Sequence, residues 1–162
     1  MSAEHDDMNE QSESGKEYLT VFIGHQMFGI PVLQIQDVLQ KQPVTRIPLS
    51  RPEILGSLNL RGRIVTAINM RKSLQLADDE GGEQHNMNIV IDDNGELYSI
   101  VVDKVGDVLM LSSEQFEKNP STLEPALRAI SEGIYRLDDE LLVVLDVQAV
   151  LESLEDDKMD AA

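Results

Sequence analysis

The chain weakly repeats itself, and no other feature constrains its fold as much. Displaced by 70 positions, the stretches 18–23 and 28–39 fall on 88–93 and 98–109, so that Ile30 meets Ile100, Val32 meets Val102 and Asp37-Val38-Leu39 meets Asp107-Val108-Leu109. Displaced by 77 positions, Gly56 meets Gly133, Leu60 meets Leu137, Ile64 meets Leu141, Ile68 meets Leu145 and Leu74 meets Leu151. One such alignment of apolar residues arises by chance, because alternation is common in strands. Two in the same order, separated by one insertion, predict two similar halves.

Each half reads as β-rich. The matched stretches are short, rich in Val, Ile, Leu and Tyr, and bounded by turn residues. Asp93-Asn94-Gly95-Glu96 is a hairpin signal, since Asn-Gly accepts the positive φ angles of a tight turn, and Gly24-His25 takes its place in the first half. Arg61-Gly62-Arg63 and Asp138-Asp139-Glu140 join the later hairpins. Four such joins predict mainly antiparallel sheet. A short helical turn is expected near Leu33–Gln36, and a C-terminal helix begins at Asp146, with Val147, Val150, Leu151 and Leu154 at helical spacing. Halves of this size bury modest cores alone, so they are expected to pack together and leave a seam suited to binding.

The chain has 162 residues and a net charge of −17, unevenly distributed. Residues 1–16 hold five acids and one lysine, residues 73–84 four acids, and residues 152–162 five acids and one lysine. These segments lack hydrophobic periodicity and read as solvated edges, the first a disordered N-terminal tail and 155–162 an acidic C-terminal one. Between Gln40 and Lys72 the balance reverses, with seven basic residues against Glu53 alone. The total charge argues against nucleic acid, aromatic residues are 4% of the chain and do not interleave with the basic band, and no apolar run is long enough to span a membrane. With no cysteine there is no disulfide, thiolate metal site or cysteine nucleophile, and the start of the chain lacks a signal-peptide pattern. A cytoplasmic protein is expected.

Little chemistry is legible. His5, His25 and His85 form no metal-spaced cluster, and no phosphate-binding loop, dinucleotide fingerprint or nucleophile elbow occurs. Asp92-Asp93 and Asp138-Asp139 are paired carboxylates at hairpin ends, where aspartate favours the turn itself. A small hydrolase built on those pairs is the low-ranked alternative. No catalytic residue, cofactor or metal is expected.

Asn59-Leu60-Arg61-Gly62-x-Ile64-Val65, followed by Ile68-Asn69-Met70-Arg71, resembles the N-L-R-G-x-I-V-P-I-x-D-L-R signature of CheW-like chemotaxis adaptors. Phe28-Gly29-Ile30 with Val32–Val38, Val44-Thr45-Arg46-Ile47-Pro48 and Val101–Leu109 resemble further blocks of that family, so the likeness runs from about Glu17 to Leu154. Thr66-Ala67 and Asn69 depart from its usual Pro-Ile and aspartate.

The resemblance implies an all-β fold of two packed, SH3-like, five-stranded barrels with short helices. The first would span about 17–74 and the second about 86–146, with a helix at about 147–154 packing back. It implies a non-catalytic adaptor that couples the cytoplasmic tips of chemoreceptors to the regulatory domain of the histidine kinase CheA, recruited to membrane-associated arrays without inserting into the bilayer. A similar adaptor for another signalling kinase is the alternative. Carried onto this chain, Ile35, Asp37 and Val38 would form a docking surface, Asn59, Arg61 and Gly62 a functional hairpin, and Gly56 a point of close backbone approach beside it.

Overall fold

The structure, a computed structural model, describes residues 15–76 and 87–161. His5, His85, Gly81-Gly82 and most of the expected N-terminal tail lie outside the described residues, but Gly15 and Lys16 open the first strand. In chain order the elements are β1 (Gly15–Ile23), β2 (Gln26–Pro31), β3 (Ile35–Gln40), β4 (Ile54–Leu60), β5 (Arg63–Asn69), α1 (Met70–Ser73), β6 (Met87–Asp93), β7 (Glu96–Val102), β8 (Lys104–Ser112), β9 (Phe116–Glu117), α2 (Pro125–Ala129), β10 (Ser131–Arg136), β11 (Leu141–Leu145) and α3 (Val147–Ala161). The fold is all-β and mainly antiparallel, with few helices. The expected helical turn is the 3-10 segment Val32–Gln34. Helix α3 continues past Leu154 through the segment expected to be a tail.

Two sheets form, one of six strands in the order β8-β1-β2-β11-β10-β9 and one of five in the order β3-β6-β7-β5-β4. Neither follows the expected division at about 17–74 and 86–146. The hairpin β1–β2 lies in a sheet otherwise built from the second half, and β6–β7 lies in a sheet otherwise built from the first. The halves have exchanged their opening hairpins.

The exchange is reciprocal to the residue. Leu19 pairs with Ile30 in one hairpin and Ile89 with Ile100 in the other. Leu19 pairs with Val108, and Ile89 with Val38. The parallel pair Leu142–Met27 is matched by Val65–Leu97. Every partner moves by the 70 or 77 positions seen in the sequence.

Burial explains the apolar runs. In β11, Leu142 and Val144 enter a small core within the six-stranded sheet, while Val143 and Leu145 enter a joint core shared by both sheets. In β6, Val90 faces a core within the five-stranded sheet, whereas Ile89 and Ile91 face the joint core. A strand covered on both faces reads as continuous Val, Ile and Leu. Asp146 caps α3 by accepting from Ala149 N–H at 3.1 Å, and Val147, Val150, Leu151 and Leu154 press into the joint core.

One polar clamp crosses this assembly. Arg71 donates from Nε to Asp103 Oδ1 at 2.9 Å and from Nη2 to Oδ2 at 2.6 Å, and the same Oδ2 accepts Gly24 N–H at 2.7 Å. The β1–β2 turn, α1 and the β7–β8 junction therefore meet at one carboxylate. The ion-pairing side chains are only 20% and 16% exposed, so removing one partner strands the other away from water. Asp103→Ala is expected to lower unfolding free energy by about 2–4 kcal/mol, read as a lower urea midpoint at unchanged slope.

Tyr18, also buried, has its hydroxyl 3.4 Å from that of Tyr135. Burial first, then the Tyr135 hydrogen bond, pushes the Tyr18 phenol above its ordinary value. A raised folded-state value means the stabilisation is complete below the unfolded phenol's value of about 10 and is lost as pH rises beyond it. Thermal melts between about pH 8.5 and 11 are expected to show a shallower decline for Tyr18→Phe than for the parent chain.

Candidate functional site

The signature residues form the β4–β5 hairpin, and its turn is dictated by two left-handed residues. Arg61 has φ 52° and Gly62 φ 86°, the pattern of a two-residue turn whose twist matches the strands it joins. Asn59 closes it by accepting Gly62 N–H on Oδ1 at 2.9 Å. Arg63 then donates from Nη2 to Gly95 O at 2.8 Å, fastening this hairpin to the β6–β7 turn. There Asn94 and Gly95 have φ 53° and 92°, and Asp92 Oδ1 accepts Gly95 N–H at 2.8 Å.

Arg61 also reaches the far side of its sheet. Strands β3 and β4 are opposite edges of the five-stranded order, yet Arg61 Nη2 lies 3.3 Å from Asp37 Oδ2 on β3. Leu39 of β3 and Leu58 of β4 likewise share the inner core, so the sheet curls until its edges approach. Asp37 is held from within as well, its Oδ1 accepting Val38 N–H at 2.9 Å. The Arg61 side chain is 79% exposed, which makes this pair worth little to stability and leaves guanidinium donors facing solvent.

Two apolar side chains near the pair in sequence are exposed. Val38 is 39% exposed and Ile64 73% exposed. Ile35 differs from Val38 in that it is half-buried against the joint core while also lining a groove of about 480 Å³ with Leu33, Ile91 and Val147, between β3 and the start of α3. Leu33 stands almost fully in solvent at its rim.

Gly56 has a separate role. It is buried with φ 150°, and a Cβ there would collide with the Thr45 carbonyl and the Val44 side chain. That approach lets Thr45 and Ser57 exchange backbone hydrogen bonds of 2.7 and 2.8 Å, pinning the β3–β4 connection against β4. Its repeat partner Gly133 is crowded in the same way by Phe116 and Glu117 of β9.

The structure therefore brings Asp37, Val38, Asn59, Arg61 and Gly62 to one end of the five-stranded sheet, with Ile35 on the adjoining groove, whereas Gly56 lies toward the other end of β4, against Val44 and Thr45. The turn aspartates gather no catalytic group. Asp92 caps its turn, Asp93 accepts from Gln148, Asp138 and Asp139 are exposed, and His25 is exposed in its turn. Among the described residues no group of three or more His, Cys, Asp or Glu side chains is placed to hold a metal. No described helix is long and apolar enough to cross a membrane. Sequence reasoning missed the exposed Ile64 and Leu33; the signal for Ile64 was an apolar residue directly after a charged turn.

The family model described as CheW-like domain matches residues 17–155. Among curated proteins, chemotaxis protein CheW of Klebsiella aerogenes is 31% identical over 142 residues, 87% of this chain and 84% of that protein. Chemotaxis protein CheW of Bacillus subtilis is 26% identical, covering 90% of this chain and 92% of its own length. Among solved structures, the scaffolding protein TtCheW of Thermoanaerobacter tengcongensis superposes with a TM-score of 0.72 at 23% identity, over 80% of this chain and 88% of that one.

Gly56→Ala is expected to lose about 2–3 kcal/mol, since backbone must shift, and Gly62→Ala only about 1 kcal/mol, from its positive φ alone. No atom lies within 4 Å of a Cβ at Gly62. Parallel urea titrations give both values, and equal losses would contradict the packing role of Gly56.

Proposed function

The chain belongs to the CheW-like domain family, and we propose that it acts as a non-catalytic adaptor coupling chemoreceptors to the histidine kinase CheA. The observation that carries this reading is the signature hairpin, braced at Asn59 and Arg63 while presenting Arg61 to solvent, with Ile64 exposed on β5 and Val38 exposed on β3. Braced apolar surface beside a guanidinium that is paired with Asp37 yet largely solvent-exposed is suited to protein docking, because little conformational freedom is lost on binding.

Two adjoining surfaces suit two kinds of partner. The end of the five-stranded sheet, with Asp37, Val38, Arg61 and Ile64, matches burial against another small barrel such as the kinase regulatory domain. The groove lined by Leu33, Ile35 and Val147 suits an amphipathic helix, the form of a receptor's cytoplasmic tip. Such an adaptor works in the cytoplasm and joins the membrane only through its partners.

The test is co-sedimentation with receptor-containing membranes, with and without CheA, while kinase phosphorylation is read in the same tubes. Receptor-dependent kinase control is expected. Binding to neither partner would move the assignment to an adaptor for another signalling kinase. Arg61→Ala is expected to reduce ternary assembly by about tenfold while changing unfolding free energy by less than about 1 kcal/mol. An unchanged assembly yield would remove Arg61 from the docking surface.

A further inference from the structure

Beside β1, β9 and β10 the six-stranded sheet leaves a cavity of about 670 Å³, away from the signature hairpin. Its wall is aromatic: Tyr18 and Tyr135 lie 5.5 Å apart, and Phe116 meets Tyr135 edge-on at the same separation. Glu132, Asp146 and Lys16 also line it, two carboxylates against one ammonium. Burial, and then the charge of Asp146, raise the Glu132 carboxyl above its ordinary value, and Lys16 pulls the other way. The cavity therefore sets two carboxylates, partly offset by Lys16, beside aromatic rings.

The internal repeat supplies a control for what the fold itself requires. The equivalent hollow in the five-stranded sheet, about 380 Å³, has Leu55 where this one has Glu132 and Asn88 where it has Tyr18, and carries Lys41 and Arg46. The repeat partner of Asp146 is Asn69, which caps α1 through the same kind of side-chain oxygen contact without a charge. The architecture thus closes equally well with aliphatic, amide and basic residues. Neither the carboxylates nor the tyrosine pair is needed for it.

We propose that this cavity binds a small organic cation, a guanidinium or alkylammonium compound, with its charge between Glu132 and Asp146 and its flat or apolar part against Phe116, the one exposed ring of the three. Aromatic faces attract such cations through their quadrupoles, and carboxylates add charge-assisted hydrogen bonds. The site is independent of the adaptor role.

The chain has no tryptophan and only three tyrosines, two of them here, so tyrosine emission reports directly on the cavity. The probe is argininamide titrated into the full-length protein, with neutral citrullinamide and equimolar sodium chloride as controls. A saturable change is expected with a midpoint on the order of a millimolar, absent with both controls. Glu132→Gln and Asp146→Asn, the second of which keeps the helix cap, are each expected to raise the midpoint about fivefold at unchanged melting temperature. No saturable change, the same response to citrullinamide, or an unaltered midpoint in both variants would overturn the proposal. So would Glu132-dependent self-association in sedimentation velocity that argininamide does not displace, since the occupant would then be a basic side chain of a second copy.

Discussion

The joint core between the two sheets is the constraint on which the rest of this structure rests. Strands β1, β2, β6 and β7 carry apolar side chains into that core from both halves of the chain, and α3 seals it with Val147, Val150, Leu151 and Leu154. Because strands such as β6 and β11 also bury their opposite faces, neither sheet is complete without the hairpin lent by the other half. The reciprocal registers follow from this, since a slip of one residue would turn each buried set outward. The Asp103 carboxylate then locks the exchange at one end by serving Arg71 and Gly24 together.

Rigidity at the signature hairpin is inherited from that arrangement. Its turn is fastened to the β6–β7 turn by Arg63, so a hairpin borrowed from the second half braces the residues of the first that are proposed to dock. Asp37 and Arg61 meet only because the five-stranded sheet curls its edges together. The exposed pair contributes little to stability.

Much of this was legible in the sequence. Asn94-Gly95 and Arg61-Gly62 announced their turns because two consecutive left-handed residues select for glycine and its tolerant neighbours, and the spacing of Val147, Val150, Leu151 and Leu154 announced the packed helix. The repeat offsets of 70 and 77 survive as strand registers. The identity of the partners did not appear, because alternation records that a strand is buried and not which strand covers it. Pairing β2 with β11 is as consistent with the pattern as pairing it with β5. The same gap hid the Arg71–Asp103 clamp, whose members sit in two separate family blocks. At the site, Asp37, Arg61 and Gly62 were legible through the family signature, whereas the half-buried state of Ile35 and the exposure of Ile64 depend on tertiary packing.

The hairpin exchange also sets a timetable for synthesis. On the ribosome, β1 and β2 emerge first, and their neighbour β11 is about 110 residues behind them. At ordinary translation speeds that is a wait on the order of ten seconds. Until then Val21, Phe28 and Ile30, all fully buried in the finished molecule, lack the strand that completes their sheet, although joint-core partners such as Ile68, Ile89 and Ile100 emerge earlier. Residues 1–16 precede them with five acids and one lysine, and like charges on neighbouring nascent chains repel.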